Sequence, residues 1–441
     1  MKPILYTAAG FDENSLYEVY VQTAAGVPEK LFCADAIVEN FFGDYTSGGK
    51  YKVGFCRLDY DFHTPLKFIV ITKRKFHKAC VRPEAKNISH TYANNVMTFE
   101  MTEPSQISVE FDGNIYENLF IFASLPEDNV PDKNDKNVIW LGEGVHDLRH
   151  ITLTEGQTLY IDGNATYYGR LTANGDNIRV TGRGIICGEH FDHEKEKYAL
   201  IECTGNNITL ENFTIIDAPG WTIVPVHCTN FTVRDTKQIS YNGNSDGFDI
   251  CSCQHVLIED CFMRNSDDCI SLKTHRGGDN IGIVMRKCVL WCDRAHLMLI
   301  GPESKGYAYR DILFEDIDVL EHRESNTEFM GVMAIFCADD AEMSDITWRD
   351  IRVERMTRGR LFSFDFVEYY AKSIGKSLRN VLVENVRCDM PGSYHCRLRG
   401  ADEDHTIDGV TFRNVVICGT PLVEGSKYIE PGDFRYNIKF E

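Results

Sequence analysis

The sequence predicts an all-β protein, a parallel β-helix preceded by a small antiparallel β-sandwich. Three observations lead there. From Val138 onward one short pattern returns, a polar residue followed by apolar–x–apolar. It occurs as Asn177-Ile178-Arg179-Val180, Asn207-Ile208-Thr209-Leu210, Asn230-Phe231-Thr232-Val233, His255-Val256-Leu257-Ile258 and Gly282-Ile283-Val284-Met285, and continues from Asp311, Asp345, Asn380 and Gly409. The first apolar positions follow one another at 30, 23, 25, 27, 29, 34, 35 and 29 residues. A fixed strand with insertions of variable length marks a solenoid, in which each unit buries its apolar side only against its neighbours. The second observation is that no helix of crossover length separates these strands, which argues against a doubly wound sheet. The third is that the leucine and asparagine pattern of a leucine-rich repeat is missing. A parallel β-helix, with inward side chains stacked in ladders, remains.

Residues 1–125 read differently. Apolar and polar residues alternate over 16–23, 51–55, 66–73, 96–101 and 106–111, with turn signals between and no helical period. This is the expected sandwich domain. Residues 126–137 are polar and hold two prolines, so they are read as a linker. The β-helix then takes 138–441.

Composition narrows the function. The chain has 441 residues and a formal charge of −20. Nucleic acid and anionic membranes both select cationic faces, so neither is expected as a partner. No apolar run near residue 1 is long enough for a signal peptide and none later could span a bilayer, so a cytoplasmic location is expected. Of the 16 cysteines, Cys228, Cys253, Cys261, Cys269, Cys288 and Cys418 fall on strand and turn positions of successive repeats. Small, weakly polar thiols suit inward ladders. A metal reading would rest on Cys251, Cys253, Cys288 and Cys292, but no paired C-x-x-C is present. Neither metal nor cofactor is expected. Oligomeric state is not legible.

The chemistry concentrates in residues 244–273. Two polar clusters, Asn244-Ser245-Asp246-Gly247 and Ser266-Asp267-Asp268-Cys269, lie one repeat apart. If a coil takes just over 20 residues, Asp246, Asp267 and Asp268 stack on one face. One aspartate there could simply cap a turn. Three carboxylates on adjacent rungs, about 4.8 Å apart, instead suit acid–base cleavage of a glycosidic bond. One carboxyl protonates the leaving oxygen and the other side holds water, with an expected gap of about 6.5–9.5 Å for inversion. Crowding raises the pKa of at least one of them, which keeps an acid protonated near neutrality. Around them, Asn244, Asp249, Lys273, Trp221 and Arg294 are candidate substrate-binding residues. Lys273 would sit beside Asp268 or bind a sugar hydroxyl, and Trp221 would offer a stacking face or pack in a rung.

These residues carry a family likeness. Trp221-Thr222-Ile223-Val224-Pro225, Asn244-Ser245-Asp246-Gly247 and Asp267-Asp268-Cys269-Ile270-Ser271-Leu272-Lys273 together resemble the polygalacturonase family of glycoside hydrolases, family 28. Gly144-Val145-His146, the run from Gly156 to Tyr160, and Gly182-Arg183-Gly184-Ile185-Ile186 resemble its first coils. A β domain before the β-helix is similar to the dextranase and isopullulanase family, family 49. The likeness covers about residues 138–420. It implies a right-handed β-helix and inverting hydrolysis, with Asp267 as general acid and Asp246 and Asp268 activating water. The family's Gly-His-Gly segment falls on Ala295-His296-Leu297, which makes His296 a fourth catalytic candidate. Its Arg-x-Lys pair, which binds a uronate carboxylate, falls on Met333 and Ile335. That substitution leads to the expectation of a neutral rather than uronate-rich oligosaccharide or polysaccharide. The alternatives are a non-catalytic carbohydrate-binding β-helix and, with less support, a uronate lyase or epimerase.

Overall fold

The polar residue heading each repeat is what lets the chain coil. Asn177, Asn207, Asn230, His255, Asp311, Asp345 and Asn380 all have φ between 54° and 58°, and Gly282 and Gly409 share that sign. This left-handed conformation costs most L-residues roughly 1–2 kcal/mol and is easiest for Gly, Asn and Asp. Placing it at the head of each strand turns the chain into the next rung. The amides then stack: Asn207 Nδ2 donates to Asn177 Oδ1 at 3.1 Å and Asn230 Nδ2 to Asn207 Oδ1 at 3.2 Å.

The structure, a computed structural model, describes residues 2–42, 46–196, 198–301, 303–324 and 331–441. From Val138 these residues form a right-handed parallel β-helix. One coil runs through Gln254–Glu259, Phe262–Asn265 and Ile270–Lys273, which lie on three faces. The next coil pairs in register with it: Val256 with Ile283, Phe262 with Val289, Ile270 with Met298. Along the third face the core takes Ile270 and Leu272, then Met298 and Ile300, then Met333 and Ile335. Ten cysteines fill the same interior. Of the 16 in the chain, all but Cys80 and Cys418 are buried, and Cys228 donates its Sγ–H to the Cys203 carbonyl at 3.4 Å.

Before the helix, the described residues form a six-stranded and a five-stranded sheet. The outer sheet holds Tyr17–Gln22, Glu29–Leu31, Leu66–Thr72, His90–Ala93 and Val96–Met101, all antiparallel. The inner sheet includes Ala34–Phe42, Thr46–Asp59, Ser105–Phe111 and Leu119–Ser124. One inner pair departs from the antiparallel expectation: Leu119–Ser124 runs parallel to the end of Thr46–Asp59. The two strands are 60 residues apart in the chain, so no short turn constrains their direction.

Alternation explains how the two parts join. One side of the inner sheet packs on the outer sheet through Leu58, Val109 and Ile121. Its other side, with Val38, Val53, Phe55, Phe120 and Phe122, lies on the second face of the β-helix against Ile216, Ile239, Phe262 and Trp291. Ion pairs pin this contact. Arg183 of the helix pairs with Asp59 at 3.0 Å and Arg264 donates to the Ile115 carbonyl at 2.8 Å. The inner sheet is therefore buried on both sides, and the helix keeps its third face clear of it.

Candidate active site

The turn between the second and third faces collects the predicted carboxylates. Asp246 precedes Phe248–Cys251, Asp267 and Asp268 precede Ile270–Lys273, and His296 precedes Met298–Ile300. Those strands are successive rungs, so the same corner recurs three times. Side-chain oxygens of Asp246, Asp267 and Asp268 all lie within 4.8 Å of one another. These are nearest-oxygen gaps, whereas the expected separation of about 6.5–9.5 Å is measured between carboxyl groups. Two hydrogen bonds of about 2.8 Å meeting at a water's tetrahedral angle span roughly 4.6 Å, so one water fits between such oxygens.

His296 is locked to this group. Its Nδ1 lies 2.7 Å from Asp268 Oδ1, and its backbone N–H donates to the same oxygen at 2.9 Å. Its ring meets Phe336 edge-on at 5.2 Å. Asp268 also donates its backbone N–H to Asp267 Oδ1 at 3.1 Å. Each link ties one rung to another or fixes a side chain on its own turn, so the group is preorganised by the coil.

Lys273 stands elsewhere than expected. It pairs with Asp249 at 2.8 Å and Glu303 at 2.6 Å and lies 3.7 Å from Asp246, while its pair with Asp268 is not formed. Trp221, half-buried, covers it, with the ammonium 3.8 Å from the ring centroid. Trp221 thus stands on the corner beside the carboxylates, with His275 at 6.1 Å. Asp249 was expected to bind substrate, but its side chain is fully buried beneath Lys273. Its place on the strand, one alternation before Cys251, puts it under the lysine's reach. Asn244 is exposed on the loop leading to Asp246.

The electrostatics follow from crowding without enough cations. Burial first, then Asp249 and Asp267, push the Asp246 carboxyl well above its usual range. Burial and Asp268 do the same to Asp267, against the pull of Arg294. Asp249 is raised to about 6 by burial, although Lys273 opposes it. Burial draws the Lys273 ammonium down, but Asp249, Asp246 and Glu303 together outweigh that and raise it. The site therefore combines carboxyls that release their protons at higher pH than usual with an ammonium that keeps its charge, a setting in which acid and base can coexist. Three converging carboxylates can also chelate a hard cation such as Ca²⁺ or Mg²⁺.

A further sequence reading needs correction. Met333 and Ile335 do not face the site. They are core residues stacked on Met298 and Ile300. The outward positions of that strand are Ala334 and Phe336, which form a separate apolar cluster with Leu299. Every residue of Met333–Cys337 is apolar or sulfur-bearing, so alternation gave no clue to which set turned out. Sequence reading also missed Glu303, Phe336 and Tyr370. Tyr370 is exposed, packs edge-on against Tyr369 at 4.5 Å, and has its hydroxyl pKa raised by burial, by Tyr369, and by Asp267 and Asp268. It belongs to a loop two coils further on, a distance that no local motif spans.

Another cavity, of about 740 Å³, opens at the far end of the second face, against the inner sheet. Much of its charged lining is paired: Arg183 with Asp235 at 2.6 Å and Arg352 with Asp316 at 2.8 Å. It lacks the convergent carboxyls of the corner.

Comparison with known proteins agrees with this layout. A model of glycosyl hydrolases family 28 matches residues 143–432. A "Probable polygalacturonase" of Vitis vinifera is 26% identical over 262 residues, 55% of this chain and 51% of that protein. An exopolygalacturonase A of Aspergillus niger is 26% identical over 174 residues, 36% of this chain and 38% of that one. The chain spans about half or less of the length of these relatives. Among solved structures, Dex49A from Penicillium minioluteum matches 99% of this chain and 96% of its own, with a TM-score of 0.66 and 13% identity. A family 28 exopolygalacturonase of Yersinia enterocolitica matches 85% and 96%, with a TM-score of 0.51 and 13% identity. The structural matches speak to fold, and the first includes the N-terminal sheets. The chain belongs to glycosyl hydrolases family 28.

Proposed function

We propose that this member of family 28 hydrolyses O-glycosidic bonds with inversion. Asp267 gives its proton to the leaving oxygen as the bond to the anomeric carbon breaks. Water held by Asp246 and Asp268 attacks that carbon from the opposite side and passes its proton to the carboxylate pair. His296 orients Asp268 through its two hydrogen bonds. Lys273 balances Asp246 and Asp249 from behind. The observation that carries the reading is the convergence of three carboxylate side chains within 4.8 Å, with Asp267 held protonated by burial and Asp268. Such a group is costly to assemble and gains nothing for the fold.

The sugar is read as neutral. Leu299, Ala334 and Phe336 line the coils below His296, and apolar side chains suit the face of a neutral ring. Three nearby cations are already engaged: Lys273 with Asp249 and Glu303, Arg399 with Asp365 at 3.2 Å, Arg397 with Glu430. A uronate carboxylate would have to displace one of these partners.

The test is a panel of neutral oligosaccharides and oligogalacturonides, assayed for new reducing ends with the wild type and Asp267→Asn. Hydrolysis of a neutral member by the wild type alone is expected. Activity confined to oligogalacturonides would overturn the neutral sugar and keep the hydrolase. Binding without hydrolysis by either protein would favour a carbohydrate-binding module.

A further inference from the structure

The N-terminal domain does not stop at the second face. The ends of its strands Ala34–Phe42 and Thr46–Asp59 reach the catalytic corner. Lys50 lies over the Tyr241 ring at 4.1 Å, on the loop leading to Asp246. Phe41 lies under the Arg294 guanidinium at 5.0 Å, on the turn leading to His296. Tyr116 donates to Asn40 and accepts from Arg323 on the coil beyond. Three of four successive coils are thus touched along one edge.

Arg294 is the residue at which this edge meets the chemistry. It sits between Phe41 and the Asn242–Asp246 loop, where a Cβ at Gly243 would fall 2.0 Å from its Nη1. A side chain at that position would have to push the guanidinium aside. Its turn is stacked directly on that of Asp267: the Asp293 N–H donates to the Asn265 carbonyl at 2.9 Å, and Cys292 Sγ–H to the Asp267 carbonyl at 3.3 Å.

We infer that Phe41 and Gly243 clamp Arg294 beside Asp267, so that the N-terminal domain completes the catalytic corner and Arg294 is a positioning residue for the proton donor. The inference rests on the hydrolase reading above. The groups facing Asp267 are Asp246 from the preceding coil, Asp268 and Lys273 from its own, Arg294 from the next, His296 through Asp268, and Tyr370 from the far loop. Arg294 is the cation that enters most strongly, ahead of Lys273, and it opposes the rise caused by burial and Asp268. Withdrawing it raises the Asp267 pKa. The alkaline limb of kcat/KM, where an acid catalyst loses its proton, then moves to higher pH.

The test follows Asp267 in two ways, by the pH profile of kcat/KM and by carboxyl ¹³C NMR titration of protein labelled at aspartate. Arg294→Gln is expected to raise both midpoints by on the order of one pH unit. Phe41→Ala should raise them less, and Arg294→Lys should restore most of the wild-type value. Unshifted midpoints in folded Arg294→Gln would overturn the inference, whatever happens to kcat. If that variant does not fold, Phe41→Ala decides alone, and no shift there overturns it. If the wild type hydrolyses nothing, the hydrolase reading fails, while the NMR titration still decides whether Arg294 governs Asp267.

Discussion

Two regions of this molecule bury charge, and they do so in opposite ways. Where the inner sheet meets the second face, most buried charges are paired at short range, although burial still lifts the Asp59 and Glu354 carboxyls. Arg264 holds Asp293 at 2.9 Å with both side chains almost wholly buried, and Arg82 holds Glu110 at 2.9 Å and Glu354 at 2.7 Å. Lys237 and Arg183 keep Asp235 below the usual carboxylate range despite its burial. At the catalytic corner, Asp246, Asp249, Asp267, Asp268 and Glu303 gather around Lys273, with Arg294 at the margin. There the carboxyls move up. Burial is common to both regions, so burial does not mark the site. The imbalance does.

The comparison breaks most sharply on substitution. Asp267→Asn should reduce hydrolysis by about 10²–10⁴-fold or more while thermal unfolding stays at or above the wild-type temperature, since a like charge is relieved. Rates on a natural-leaving-group substrate and a melting curve check both halves. At the interface the signs reverse. Asp293→Ala strands Arg264 and should cost about 3–5 kcal/mol of stability, with activity per folded molecule largely kept. Denaturant titration beside an active-site-normalised rate measures it.

A second separation is in pH. Asp249 keeps its proton to about pH 6 in the folded chain, whereas an unfolded aspartate releases it near pH 4. Its contribution therefore becomes unfavourable as pH rises from about 4 to 6 and is constant above. Asp235 is depressed, so its contribution is present above about pH 4 and is lost as pH falls through its folded value. Melting temperatures across pH 3–8 should show Asp249→Asn gaining on the wild type between pH 4 and 6. Asp235→Asn should be most costly at neutral pH. The same slope in both variants would refute the contrast.

The smallest expected effect concerns metal. Lys273 and His296 already satisfy Asp246 and Asp268, so EDTA should leave the rate unchanged. Loss of activity restored by Ca²⁺ would show that the three carboxylates work as a chelate.

Much of this was legible in the chain. The repeat beginning at Asn177 announced the solenoid, and the two polar clusters one coil apart announced the carboxylates, because a parallel coil converts sequence spacing directly into neighbourhood. What stayed hidden came from two sources. In Met333-Ala334-Ile335-Phe336 both alternating sets are apolar, so only the register with Met298 and Ile300 reveals which faces the core. Lys273, placed beside Asp268 by closeness in sequence, pairs instead with Asp249 and Glu303, one coil away on either side. Phe41 and Tyr370 reach the corner from another domain and a distant loop. The left-handed role of the repeat's polar residue was written in its restriction to Asn, Asp, His and Gly, but that signal concerns backbone conformation rather than hydropathy.

The central claim, that the corner holds an acid on one side of a sugar and a water on the other, is tested most directly by stereochemistry. ¹H NMR of the first-formed product, recorded before mutarotation, reports the configuration at the cleaved carbon. The account predicts inversion, with water held between Asp246 and Asp268. The carboxylates lie close enough that direct attack by one of them is the rival chemistry. A product that retains the substrate's configuration would contradict the account.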